Sequence, residues 1–227
     1  MTSSTDLRRP GDAALLQHAS THALLLQCAI RVAAEHGIGD VSIPRVIAMA
    51  QVPAAVFRSH FGTDGELWQT VADGLSNELI LIIESVAGDF VDPARRIACG
   101  VRIYLHLARD CQVFAKLVAH RGLDVAGTAS LIHNYLPGHI ASGKQSARFA
   151  DAPMETAIDL IAGTTLAAVM RIAAGSTPAD HPERVALAIL KGLGVPGLQA
   201  QRLVKIELPL FQPATGSMLA LAQSMPA

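Results

Sequence analysis

Aromatic residues are scarce. One Trp, two Tyr and six Phe make up 4% of the 227 residues, whereas apolar residues together reach 51%. A core short of rings and dominated by Ala and Leu has the composition of close-packed helices rather than of a sheet, so an all-α protein is expected. Cysteine is equally sparse: Cys28, Cys99 and Cys111 are odd in number, lie in apolar helical contexts and have no CxxC spacing. That pattern speaks against a disulfide framework and for three buried free thiols. Charged residues are only 16% and the formal net charge is −1, so no basic field covers the chain and any footprint on phosphate must be local. The opening MTSSTDLRRPGD has no apolar h-region, and the longest uncharged apolar run, Leu160 to Met170, is too short to cross a bilayer. A soluble, cytoplasmic chain with no membrane partner is the expectation. Its length allows one good-sized core or a small and a larger domain.

Signatures of catalysis are missing as well. There is no Gly-rich phosphate loop and no G-x-S-x-G nucleophile turn, and Asp159 stands in an apolar stretch with no evident base. His106, His120, His133 and His139 form neither an HxxxH pair nor an HExxH run among themselves. No metal, no cofactor and no enzymatic activity are expected.

What is present is concentrated in residues 42–61, SIPRVIAMAQVPAAVFRSHF. The segment reads as two short helices broken by a tight turn. Val46, Ile47 and Ala50 fall on the inner face of the first, Val52 plugs the turn, and Val56, Phe57 and Phe61 anchor the second. Apolar residues three and four apart fix such a pair at a steep angle. The preceding stretch, 21–40, is an amphipathic helix with Leu25, Cys28, Ala29 and Val32 inward and Gly37 as a left-handed stop. Together the three have the spacing of a DNA-binding helix-turn-helix.

These elements resemble the N-terminal domain of the tetracycline-repressor (TetR) family of bacterial transcription regulators. There a helix ending in glycine leads to a Thr/Ser cap, an Ile-Ala pair, an Ala-Gly-Val turn and a recognition helix closing on Tyr-x-x-Phe. Ser42, Ile47, Ala48, Ala50, Val52 and Phe61 match position for position. The resemblance continues weakly downstream through DPARRIACGVRIYLHLARD, DLIAGTTLAAVMRIAAG and LKGLGVPGLQAQRLVKIELPL. It implies a recognition helix lying in the major groove, with Ser42, Arg45, Ala54, Ala55, Val56, Arg58, Ser59, His60 and Thr63 at the DNA.

His60 is the common family choice, but other positions depart from it. Ala54, Ala55 and Val56 offer no hydrogen bonds and can meet only thymine methyl groups, while Arg58 stands where the family has a phosphate-binding tyrosine. Gln51 replaces the turn glycine and Pro53 the capping serine. Asp64 replaces a lysine that pairs with phosphate. Residues 1–70 carry five basic side chains (Arg8, Arg9, Arg31, Arg45, Arg58) against six acidic ones (Asp6, Asp12, Glu35, Asp40, Asp64, Glu66). Attraction replaced by repulsion at Asp64 weakens DNA binding without excluding it.

The chain divides into a flexible lead (1–19), a helix-turn-helix domain (20–62), a ligand-binding and dimerisation domain (63–205) and an irregular Pro-containing tail (206–227). Thr63 and Glu66 form a T-x-x-E capping box opening a helix that extends to about Gly88. Asp92-Pro93 opens another to about Arg109, 111–121 is short, and 126–146 should kink or end at Pro137-Gly138. Residues 153–175 are apolar nearly all round and must be buried on every side; with 182–191 they have the small-residue composition of a dimer-forming pair. A last short helix runs from Gly197 to about Lys205.

In the resembled family the C-terminal bundle encloses a pocket, and residues 92–146 are the expected lining: Cys99, Ile103, Tyr104, His106, Phe114, Leu117, His120, Leu131 and Tyr135, with His133 beside them. An apolar pocket with few polar anchors fits a small hydrophobic or aromatic ligand. The expected protein is a homodimeric, ligand-responsive repressor released from a double-stranded DNA operator. The alternative is a regulator-like ligand-binding or heterodimerising protein that has lost operator recognition, and a helical hairpin kept only for packing is the plainest reading of 42–61.

Overall fold

The computed structural model describes residues 10–37, 43–127 and 129–225. Among them there is no strand, and twelve α-helices follow one another. The first is α1 (Pro10–His36), so the expected flexible lead is already helical from Pro10; residues 1–9 lie outside the described residues. Proline suits the first helical position because its missing N–H would have no partner there. Gly37 ends the helix at φ +74, as its lack of a Cβ permits.

Two short helices, α2 (Ile43–Ala50) and α3 (Ala54–His60), pack with α1 through Leu25, Cys28, Ala29, Val32, Val46, Ala50 and Phe57, all buried. Helix α4 (Asp64–Ala87) follows after three residues and passes from this three-helix head into the bundle behind it. Its start is a side-chain cap: the Glu66 amide donates to Thr63 Oγ1 at 3.2 Å. The Glu66 carboxylate accepts from the amide of Gly62 at 2.8 Å, one residue before the expected capping-box partner.

Behind the head lies a bundle of α4, α5 (Pro93–Asp110), α6 (Gln112–Arg121), α7 (Ile132–Gln145), α8 (Met154–Ile158), α9 (Thr164–Ala173), α10 (His181–Gly192) and α11 (Gly197–Leu203). At its centre α5 touches α4, α6, α7, α9, α10 and α11. A 3₁₀ turn (Gly122–Ala126) links α6 towards α7. Asp92 caps α5 by accepting from the Ala94 amide at 2.9 Å and holds Arg148 through both oxygens, at 2.9 and 3.0 Å. On α5, Arg102 donates to Glu183 of α10 at 3.1 Å, and His106 bonds the same oxygen at 2.8 Å.

Three expectations change. Pro137 does not end α7, which continues through it to Gln145. A proline in the second turn removes one backbone bond, and the buried face of Leu136, Ile140 and Gly143 carries the helix on. The stretch from Met154 to Ala173 is long and apolar enough by composition to cross a membrane, which the shorter uncharged run alone did not indicate. Here it is packed against α5, α6 and α10, with Ile161, Leu166, Val169 and Ile172 in the core. Finally, the tail is not irregular throughout. Helix α12 (Met218–Gln223) docks on α1 and α4, capped by Ser217 and by Glu78, whose carboxylate accepts the amides of Met218 and Leu219 at 3.1 and 2.8 Å.

Candidate functional site

The turn between α2 and α3 holds Gln51 at φ +55, a left-handed backbone at the position where a side chain costs about 1–2 kcal/mol. Pro53 precedes α3 in an extended conformation, offers no side-chain cap, and accepts from the amides of Val56 and Phe57 at 3.0 and 3.2 Å. Phe57 and Phe61 are buried, Val52 and Ile47 pack against the same core, and Val56 is half-buried. Their burial fixes which side of α3 faces out.

That outer side presents Ala54, Ala55, Arg58 and Ser59, with Arg45 of α2 and Thr63 also exposed. Ser42 lies outside the described residues. The Arg58 guanidinium is engaged: it donates to the Gly62 carbonyl at 3.1 Å and meets Asp64 at 3.5 Å. Both side chains are more than half exposed, so the pair is held loosely and a phosphate can displace it. Ser59 Oγ donates to the Val56 carbonyl at 2.7 Å, and the Thr63 hydroxyl accepts the α4 capping bond while keeping its own proton.

His60 belongs to a cluster that spacing within 42–61 does not reveal. Its ring lies 3.9 Å from that of His18 and 5.6 Å from that of His22, and His22 stacks on Phe61 at 4.9 Å. His18 and His22 are one helical turn apart on α1. Burial, followed by repulsion from His18, holds the His22 imidazole below its ordinary pKa; burial, then His18 and His22, does the same to His60. The neutral form is favoured, so at neutral pH His60 presents a hydrogen-bonding group rather than a charge.

The second feature is a cavity of about 100 Å³ between α4, α5, α7 and the α8–α9 stretch. Its wall is mostly Ile80, Ile83, Ile97, Val101, Ile132, Leu136, Ile161 and Leu166. A π turn over Asp159–Gly163, inserted between α8 and α9, brings Ile161 and Ala162 to the wall. At one end the hydroxyls of Ser76 and Tyr104 share a hydrogen bond of 2.9 Å. Burial pushes the Tyr104 phenol up to about 12, outweighing the bond from Ser76. At the other end His139 Nε2 meets the Glu84 carboxylate at 2.8 and 3.0 Å, and Arg96 reaches His139 Nδ1 at 3.1 Å and the Phe90 carbonyl at 2.5 Å.

Of the residues expected to line a pocket, the structure brings Tyr104 and Tyr135 to this cavity. The others stand elsewhere because their helix faces point away. Ile103, Phe114 and Leu117 are packed in the core, Phe114 edge-on to Tyr104 at 5.4 Å. Cys99 faces a small crevice beside Phe90 and Leu208, His106 is bonded to Glu183, and His120 is exposed. Leu131 is half-buried and its amide donates to Asn77 Oδ1 at 2.9 Å. Sequence reasoning missed the polar lining of Ser76 and Glu84 on α4, Arg96 on α5, His139 on α7, Ser130 and Thr165; the one signal left was on α4, where Ser76, Ile80, Ile83 and Glu84 recur at helical spacing on a single face.

A three-helix head joined by a long helix to a bundle with an apolar cavity is an arrangement that solved structures share, and several superpose on the chain. RolR, solved in complex with resorcinol, shares 20% identity at a TM-score of 0.70 and covers 87% of this chain and 100% of its own. A TetR-family regulator from Pectobacterium atrosepticum shares 21% at 0.61, covering 82% and 94%. A tetR-family regulator from Shewanella sp. PV-4 shares 16% at 0.63, covering 76% and 97%. No family model matches the sequence, and no curated protein matches it. The fold is that of the TetR-family transcription regulators.

Proposed function

We propose that the chain is a ligand-responsive DNA-binding transcription regulator, a cytoplasmic homodimeric repressor that a small hydrophobic or aromatic molecule releases from its operator. One observation carries the reading: α4 serves both sites. Its first turn is three residues from the end of α3, and its Ser76, Ile80, Ile83 and Glu84 wall the cavity. A molecule that prefers one setting of α4 therefore biases the position of α3, and operator affinity falls by that preference. The complex of RolR with resorcinol supports a ring-sized ligand for this fold. Small exposed residues on α9 and α10, Ala167 and Ala188, together with half-exposed Met170, support pairing of two copies through these helices. Two heads about 34–36 Å apart enter successive major grooves.

The test is retention on duplex DNA flanking the protein's own gene across a salt series. Affinity is expected to fall steeply with salt, and Arg58→Ala to weaken binding and flatten the slope by about one. The Arg58–Asp64 pair favours the second reading, a regulator-like ligand-binding or heterodimerising protein without an operator. No retention even at low salt supports that one.

A further inference from the structure

The cavity's two ends are chemically distinct from its wall and from each other, and they select more than size. Ser76 and Glu84 lie eight residues apart on α4, and Arg96 and Tyr104 lie eight apart on α5. Each interval is about 12 Å of helix. The two helices pair these residues in opposite order, Ser76 with Tyr104 and Glu84 with Arg96 through His139. An apolar slot thus runs between two polar ends. Its volume of about 100 Å³ is on the scale of cavities of about 150 Å³ that take up benzene, so one ring fills it.

Each end both donates and accepts. Two hydroxyls sharing one hydrogen bond have a second proton left over and lone pairs to spare, so the Ser76–Tyr104 pair offers a donor and acceptors. At the far end a guanidinium can only donate, which makes His139 Nδ1 the acceptor and puts the ring proton on Nε2, towards Glu84. Arg96 Nε is buried without a protein partner, while Glu84 retains lone pairs. Arg96 and Glu84 also balance each other's charge across the neutral imidazole. A carboxylate or phenolate would gain Arg96 and be repelled by Glu84; a hydroxyl satisfies both.

From this geometry, and resting on the ligand-responsive reading above, we infer that the cavity binds an uncharged monocyclic aromatic carrying two hydroxyl groups, one held by Ser76 and Tyr104 and the other by Arg96 and Glu84. Tyr104 and Glu84 set the specificity. Tyr104 demands the second hydroxyl, and Glu84 rejects anions.

Calorimetric titration of the full-length protein with toluene, phenol, benzoate and the 1,3- and 1,4-benzenediols tests this. The better of the two diols is expected to bind about tenfold more tightly than phenol, one hydrogen bond's worth, with benzoate and toluene weaker still. Tyr104→Phe should bring the diol to the level of phenol. Glu84→Gln should leave the diol within a few-fold and raise benzoate about tenfold, a gain that a misfolded variant cannot produce. Toluene or benzoate binding the wild-type protein as tightly as the better diol overturns the inference, as does an unchanged benzoate affinity in Glu84→Gln. Retention on DNA is scored separately: DNA binding without diol binding defeats this inference alone, and diol binding without DNA binding defeats the regulator reading alone.

Discussion

At the scale of single residues, the histidine cluster joining α1 to α3 carries a pH dependence of known sign. The imidazoles of His22 and His60 are held below the ordinary value of 6.5 by burial and by their histidine neighbours. An unfolded chain then binds protons that the folded head refuses. Stability is unaffected above about pH 6.5 and is lost as pH falls below it towards the folded-state values. The melting temperature of the head is expected to hold steady from about pH 8 to 7 and to drop by about pH 5.5, and the drop should shrink in His18→Ala. A drop of unchanged size in that variant contradicts the assignment. The sequence disclosed the inner residues of the head because burial leaves a period. It also disclosed the left-handed turn at Gln51, whose φ of +55 matches the position of the family glycine. The Arg58–Asp64 pair and the tilted packing of the His18 ring on His60 join side chains six and 42 positions apart, and no local pattern announces them.

At the scale of elements, helix positions were legible and their outcome at irregular points was not. The caps at Thr63 and Asp92 read directly, since a side-chain acceptor before an apolar run has a local function. Pro137 was misleading, because whether a proline breaks a helix depends on what the next turns bury. Gly143, two turns on, explains that burial. A Cβ there would fall 1.9 Å from the Phe149 ring, so the ring lies flat on bare backbone. Gly143→Ala is expected to cost about 1–3 kcal/mol in urea unfolding, the range for overpacking a filled site, and Phe149→Leu in the same chain should recover part of it. A neutral Gly143→Ala would show that the ring has room to move. Helix α12 did have a local signal, Ser217 ahead of MLALAQ, but the Pro-containing approach obscured it. Its anchoring by Glu78, 140 positions away, had none.

At the scale of the whole molecule, two sites are joined by one helix and braced from both sides. Below α4's first turn the head is fixed by Phe57 and Phe61. Along its length the tail helix α12 clamps α4 to α1. On the far side, α5 is tied to α10 where Glu183 accepts from Arg102 and His106. Burial opposes the Glu183 charge, but those bonds outweigh it and hold the carboxyl below its usual range. The all-helical class follows from composition and hydrophobic period, which act along the chain. The cavity emerges only when α4, α5, α7 and the π turn come together, and for that reason most of the lining expected from residues 92–146 pointed elsewhere. On the proposed function, occupancy of this cavity changes what α3 holds. Selection of bound fragments from genomic DNA, with and without a saturating benzenediol, tests it most directly. A palindromic site with half-sites about one helical turn apart is expected to be enriched and to lose that enrichment when the diol is added; fragments recovered at random, or a site retained equally in both conditions, would contradict the proposed function.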